Sequence, residues 1–107
     1  MLREITATGL QEKFKLGQKL QLIDVREPEE FAICKMPESK LIPLGEIPKR
    51  YTEIDPAAEV IMICHHGFRS AQAIQFLSQR FGFTNLVNLK GGIHAWAEQV
   101  DPEMPVY

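Results

Sequence analysis

Four short apolar runs punctuate the chain: LQLIDV at 20–25, KLIPL at 40–44, VIMIC at 60–64 and NLVNL at 85–89. Each is shorter than a helix needs, and none alternates cleanly between apolar and polar residues. Runs of this kind suit strands buried on both faces. VIMIC is the most apolar and is expected at the centre of its sheet.

The segments between the runs have helical spacing. RSAQAIQFLSQRF, residues 69–81, puts Ala73, Ile74, Phe76, Leu77 and Phe81 on one face, and Gly82 closes it. REPEEFAI, residues 26–33, places Pro28 and acidic side chains in a first turn, where the helix dipole favours them. IHAWAEQV, residues 93–100, follows Gly91-Gly92 and precedes Pro102, and Trp96 is expected to anchor it in the core. Thr6 or Thr8 can cap a first helix with Leu10, Phe14 and Leu16 on its apolar face and Gly17 as its stop. GEIPKRYTEI, residues 45–54, predicts a helical turn or two interrupted by Pro48.

Strands alternating with helices predict an α/β fold: an open, mostly parallel sheet with helices on both faces. A chain of 107 residues suits a single domain spanning 1–107. In such sheets ligands bind at the carboxyl ends of the strands. Cys64 stands at one of those ends.

Composition narrows the function. A net charge of −2 argues against a broad basic face for nucleic acid. No apolar run approaches the ~20 residues of a membrane helix. MLREITATGLQEKF, residues 1–14, carries charges where a signal peptide needs apolar residues. A cytoplasmic protein acting away from membranes is therefore expected, and nothing advertises an oligomer interface, so a monomer is too. The two cysteines, Cys34 and Cys64, are expected to be free thiols. With His65, His66 and His94 they form no recognisable metal set.

The stretch CHHGFRS, residues 64–70, then carries the chemistry. A thiolate is a far better nucleophile than a thiol, and helix N-termini and nearby cations favour it. The sequence puts a helix start near Arg69 or Ser70, and His65, His66 and Arg69 supply actual or potential positive charge. Gly67 lets the backbone turn sharply, so that successive N–H groups can converge on one anion. A strand-end cysteine often does no more than pack. The residues that follow Cys64 favour a reactive one instead.

CHHGFRS resembles the active-site loop of single-domain rhodaneses, a family of sulfurtransferases. LIDVREPEEF, residues 22–31, resembles that family's first signature, with Asp24, Arg26 and Glu30 in place. NLKGGIHAW, residues 88–96, is similar to its C-terminal signature. The segments occur in family order and span nearly the whole chain.

The resemblance implies a five-stranded rhodanese-like sheet. It implies that Cys64 accepts a sulfane sulfur as a persulfide from an anionic donor such as thiosulfate and passes it to a thiophilic acceptor, cyanide or a protein thiol. No metal or organic cofactor is then required. His65, His66, Gly67, Phe68, Arg69 and Ser70 match the surrounding anion-binding loop, with Arg69 closing it. Asp24 and Arg26 match a structural signature expected to brace loops near the site. A protein thiol or sulfur carrier is a possible partner.

Four residues separate Cys64 from Arg69, whereas phosphatases of similar fold, the cell-cycle dual-specificity type, have five. The tighter ring suits one sulfur atom better than a phosphate. A phosphatase or arsenate reductase-like enzyme is the less favoured alternative, and a sulfur-relay or protein-binding module is the other.

One segment departs from the family. Where rhodaneses often carry Gly-His-Ile-Pro-Gly-Ala, this chain has Cys34-Lys35-Met36-Pro37-Glu38-Ser39, which questions the usual backbone there. Cys34 is read as a small residue at a helix end, with a resolving thiol as the sharper alternative. His65 and His66 are read as electrostatic groups or as simply solvent-exposed, rather than as proton-transfer groups, and His94 is placed on the exposed side of the last helix. The KLGQK and PKRY charges are read as solvated faces.

Overall fold

The computed structural model describes residues 2–107. Five strands form one sheet in the order β1-β5-β4-β2-β3: β1 Glu4–Ile5, β2 Leu20–Asp24, β3 Lys40–Leu41, β4 Glu59–Ile63 and β5 Leu86–Leu89. Every pairing is parallel, so the sheet is wholly parallel rather than mostly so. The most apolar strand, β4, lies at the centre as its composition predicts. The first strand, β1, was not visible in the sequence. It is two residues long and exists by pairing with β5, Glu4 opposite Asn88 and Ile5 opposite Leu89.

Five α-helices fill the connections: α1 Ala7–Lys15, α2 Pro28–Ile33, α3 Ile47–Arg50, α4 Phe68–Phe81 and α5 Gly92–Gln99. Thr6 is the cap of α1, accepting from the Gly9 N–H at 3.0 Å. Leu10 is buried, but Phe14 lies at the rim with its ring edge against Trp96, and Leu16 is 70% exposed. Leu16 lies past the last helical residue, where the chain turns away from the core. Pro48 opens α3 rather than interrupting it, since proline fits a first turn where no N–H is needed. KLIPL keeps only two residues in the sheet, and Pro43 turns the rest into a 3-10 turn at Leu44–Glu46.

Alternation along the buried strands divides the interior. Leu22, Ile61, Ile63, Val87 and Leu89 pack with α1 and α5, where Trp96 is buried as an anchor. Ile23, Val60, Met62 and Leu86 pack with Ile47 of α3 and with Ala73, Ile74 and Leu77 of α4. Phe81, at the end of α4, is half out of the core and stacks on Tyr51 with ring centroids 3.8 Å apart. Among the described residues, no helix is long and apolar enough to cross a membrane.

Candidate active site

The central strand delivers Cys64 to the carboxyl edge of the sheet, and α4 begins four residues later, at Phe68. That start is one residue earlier than the sequence pattern placed it. Gly67 makes the turn possible: its φ is +102°, a backbone conformation that strains any residue with a Cβ. The turn aims the Gly67 N–H at the Cys64 Sγ, 3.1 Å away. The Ser70 hydroxyl lies 3.3 Å from the same sulfur. Cys64 itself is 1% exposed, and both cysteines are free.

The carbonyls of the loop are held outward. The Cys64 carbonyl accepts from Ile93 N–H at 2.9 Å and the His65 carbonyl from His94 N–H at 3.1 Å, both at the start of α5. Gly92 permits this approach, since a Cβ there would lie 2.3 Å from the His65 carbonyl oxygen. The Gly-Gly pair is thus a requirement of the loop as much as of the helix.

Asn88, on β5, completes the clamp and was not singled out from the sequence. It is 2% exposed. Its Nδ2 donates to the Gly67 carbonyl at 3.0 Å, and its Oδ1 accepts a short hydrogen bond from the Ser70 hydroxyl. With that proton committed to Asn88, Ser70 Oγ is free to accept from the Cys64 thiol. The available signal was one polar side chain inside the apolar run NLVNL.

Arg69 does not point freely at the sulfur. Its guanidinium forms a two-pronged ion pair with Glu30 of α2, at 2.6 and 2.9 Å. Those hydrogen bonds hold the Glu30 carboxyl down at about 2, helped by the Glu27 N–H and the Tyr107 hydroxyl. Asp24 and Arg26 are both fully buried and pair at 2.7 Å. Arg26 also donates to the carbonyls of Cys34 at 2.6 Å and Glu30 at 3.2 Å, which ties α2 to the end of β2.

The outer side of the loop is aromatic. The His65 and His66 rings stack at 4.1 Å, and His94 approaches them at 5.9 and 4.9 Å. His94 is thus drawn in beside the loop rather than left on an open face, because α5 starts against the His65 carbonyl. Burial and the neighbouring imidazole of His66 push the His65 pKa down from its ordinary value. Phe68 is 82% exposed at the rim. Cys34 ends α2, buried, with its sulfur 3.8 Å from Arg26 Nη1. Among the described residues, no cluster of three or more His, Cys, Asp or Glu side chains is placed to hold a metal ion.

Comparison with known proteins agrees with this architecture. Residues 6–99 match the rhodanese-like domain. YtwF of Bacillus subtilis is 36% identical over 102 residues, covering 95% of this chain and 97% of that protein. A protein of Allochromatium vinosum named sulfurtransferase is 36% identical over 97 residues, covering 91% of this chain and 90% of its own. The crystal structure of a rhodanese-like domain protein from Staphylococcus aureus superposes with a TM-score of 0.84 at 31% identity, covering 99% of both chains. This chain belongs to the rhodanese-like domain family.

Proposed function

We propose that this protein is a sulfurtransferase that carries sulfane sulfur on Cys64 from an anionic donor such as thiosulfate to cyanide or a protein thiol. The observation that carries the reading is the convergence of the Gly67 N–H and the Ser70 hydroxyl on Cys64 Sγ. The similarity to a protein named sulfurtransferase supports the same class.

In the first step the Cys64 thiolate attacks the outer sulfur of thiosulfate. A new S–S bond forms, the old one breaks, and sulfite leaves with the electron pair. The negative charge of the terminal sulfur then lies in the loop, where preorganised N–H donors stabilise it without reorganising. In the second step the acceptor attacks that outer sulfur, and Cys64 departs as the thiolate. With cyanide the product is thiocyanate. Ser70 is suited to both states: it accepts from the thiol, and on rotation it donates to the thiolate. Arg69, His65 and His66 supply positive or polarisable groups at the mouth for an anionic donor.

A sulfur relay to a protein partner is the second reading. The exposure of Phe68 beside the loop favours it, because a bare aromatic ring at a reactive mouth suits contact with another chain.

Intact mass measurement after brief exposure to thiosulfate tests the proposal. Gain of one sulfur atom, absent in Cys64→Ser and discharged by cyanide with formation of thiocyanate, is the expected result. Turnover retained in Cys64→Ser would overturn it. A relay would show persulfide formed from a protein or low-molecular-weight persulfide, with no turnover on thiosulfate.

A further inference from the structure

Tyr107 is far from the loop in sequence, yet it sits within the network that holds it. Its hydroxyl accepts from Arg26 Nη1 at 2.9 Å and donates to Glu30 Oε2 at 2.8 Å. Its ring lies flat on the His65 ring, with centroids 4.0 Å apart and planes 15° from parallel. Two of its contacts therefore end on the loop: one on His65 directly, and one on Arg69 through Glu30.

The four hydrogen bonds to Glu30 explain why a tyrosine matters there. Oε1 accepts from the Glu27 N–H and Arg69 Nη1, and Oε2 accepts from Arg69 Nη2 and Tyr107 Oη. Among the described residues, no other donor reaches this carboxylate. Arg26, on the far side of the hydroxyl, is buried and paired with the fully buried Asp24 carboxylate. The hydroxyl thus accepts from a buried, paired cation and donates a hydrogen bond to the carboxylate that pairs with Arg69.

The direction of this hydrogen bond is stable across the working range. Burial and the Glu30 carboxylate raise the Tyr107 hydroxyl to about 12, while Glu30 lies at about 2. Pro105, Val106 and Tyr107 also close over Cys34, His65 and His94, leaving only about 10 Å³ between them.

We propose that Tyr107 is a positioning residue for the Cys64 loop: it holds Glu30 against Arg69 and braces the His65 ring, and thereby sets the affinity for the anionic sulfur donor. The identity of that donor rests on the sulfur-transfer reading; the hold on the loop does not. Tyr107 acts through Arg69 and His65 and takes no part in the bond changes at sulfur.

Two variants of the full chain separate its parts. Tyr107→Phe removes the hydroxyl and keeps the ring stack, and Tyr107→Ala removes both. Two measurements are made on each. One is KM and kcat for thiosulfate with cyanide as acceptor. The other is the ratio of Cys64 alkylation rates by anionic iodoacetate and neutral iodoacetamide, read by peptide mass so that Cys34 is counted separately.

The ratio reports how the loop attracts an anion and needs no sulfur transfer. Tyr107→Phe is expected to raise KM about three- to fivefold and Tyr107→Ala about tenfold, the scale of one or two hydrogen-bonding contacts, with kcat within about twofold. The iodoacetate preference falls in parallel. If the wild-type chain takes no sulfur from any donor but the alkylation ratio still falls in both variants, the positioning role stands and the sulfur-transfer reading fails. If both variants keep the wild-type alkylation ratio, the proposal is overturned, whatever happens to their melting temperatures.

Discussion

The two cysteines make the most instructive pair in the molecule. Both are free and both are buried, Cys34 at 8% and Cys64 at 1% exposure. They belong to the cores on opposite faces of the sheet, Cys34 with α1 and α5 and Cys64 with α3 and α4. Burial does not distinguish them. Hydrogen-bond donors do. Cys64 meets a backbone N–H donor, and a hydroxyl whose proton is shared out to Asn88, inside a turn whose carbonyls are tied away from it. Cys34 ends a six-residue helix, and among the described residues the donor beside its sulfur is Arg26 Nη1, which is shared with the Glu30 carbonyl and the Tyr107 hydroxyl. A buried thiol becomes a candidate nucleophile when the fold leaves donors facing it, not when it is merely enclosed.

The sharpest way to break this contrast is to exchange each sulfur for oxygen. Cys64→Ser should lower sulfur transfer by roughly a thousandfold or more, as loss of a covalent nucleophile does. Cys34→Ser should leave it within about twofold, because the neighbouring Arg26 keeps its main partners. Thiocyanate release under single and multiple turnover measures both. A large loss in Cys34→Ser would make it the receiving thiol, and the contrast would collapse.

The next largest effect concerns stability. Asp24 and Arg26 are fully buried and oppositely charged. Removing one partner of such a pair leaves the other charge unmatched, at a cost of about 3–5 kcal/mol. Asp24→Ala should lose about that much in urea unfolding. Because Arg26 holds the Cys34 and Glu30 carbonyls, the region around Cys34 should lose amide protection before the Cys64 loop does.

Asn88 bears on the other cysteine. Asn88→Ala leaves the Ser70 hydroxyl and the Gly67 carbonyl without their partner in a buried place, which costs about 1–3 kcal/mol. Transfer should fall together with stability, since the same bonds shape the turn at Cys64. A variant of unchanged activity would show that the loop holds its form without β5.

Acid separates the groups around the loop by their sign. The Glu30 carboxyl lies at about 2 in the fold against an ordinary 4.5, so its contribution is present above pH 4.5 and is lost as pH falls through that window. His65 is shifted the other way relative to its charge: its folded value lies below the ordinary 6.5. The unfolded chain therefore takes up that proton first, and stability declines as pH drops below 6.5. Urea midpoints across pH 7 to 3 should show the upper part of the decline removed in His65→Asn and the lower part in Glu30→Gln. Both side chains are only partly buried, so each slope is shallow.

The order of strands and helices could be read from the apolar runs because the central ones are buried on both faces and need no partner to be recognised. The same holds for Cys64, whose position follows from where the central run stops. What escaped was made by partners distant in sequence. β1 is two residues whose strand character comes from β5. His94 is drawn inward because its N–H meets the His65 carbonyl. Arg69 has its charge directed to Glu30, a pairing across 39 positions. Tyr107 reaches Arg26 and Glu30 across 81 and 77. Asn88 left a trace, a polar residue in a buried run, and that signal can be searched for in other chains.

The departure after Cys34 supplies the smallest and most exacting test of the contrast between the two regions. The family's second glycine there is Glu38 in this chain, and the backbone is still left-handed, with φ at +62°. A side chain in that conformation costs roughly 1–2 kcal/mol relative to glycine, less what glycine loses in conformational freedom on folding. Glu38→Gly should therefore stabilise the fold by about 0.5–1 kcal/mol, read as a higher urea midpoint at unchanged slope. It should not alter sulfur transfer, because the strain lies on the Cys34 side. The corresponding change at the other cysteine, Gly67→Ala, places a Cβ at φ +102° and about 3.4 Å from two backbone atoms, so it should lower both stability and transfer. If Glu38→Gly raised stability and changed transfer as well, the two regions would be coupled through the Arg26 and Glu30 network, and the separation drawn between the two thiols would have to give way to a single mechanical unit.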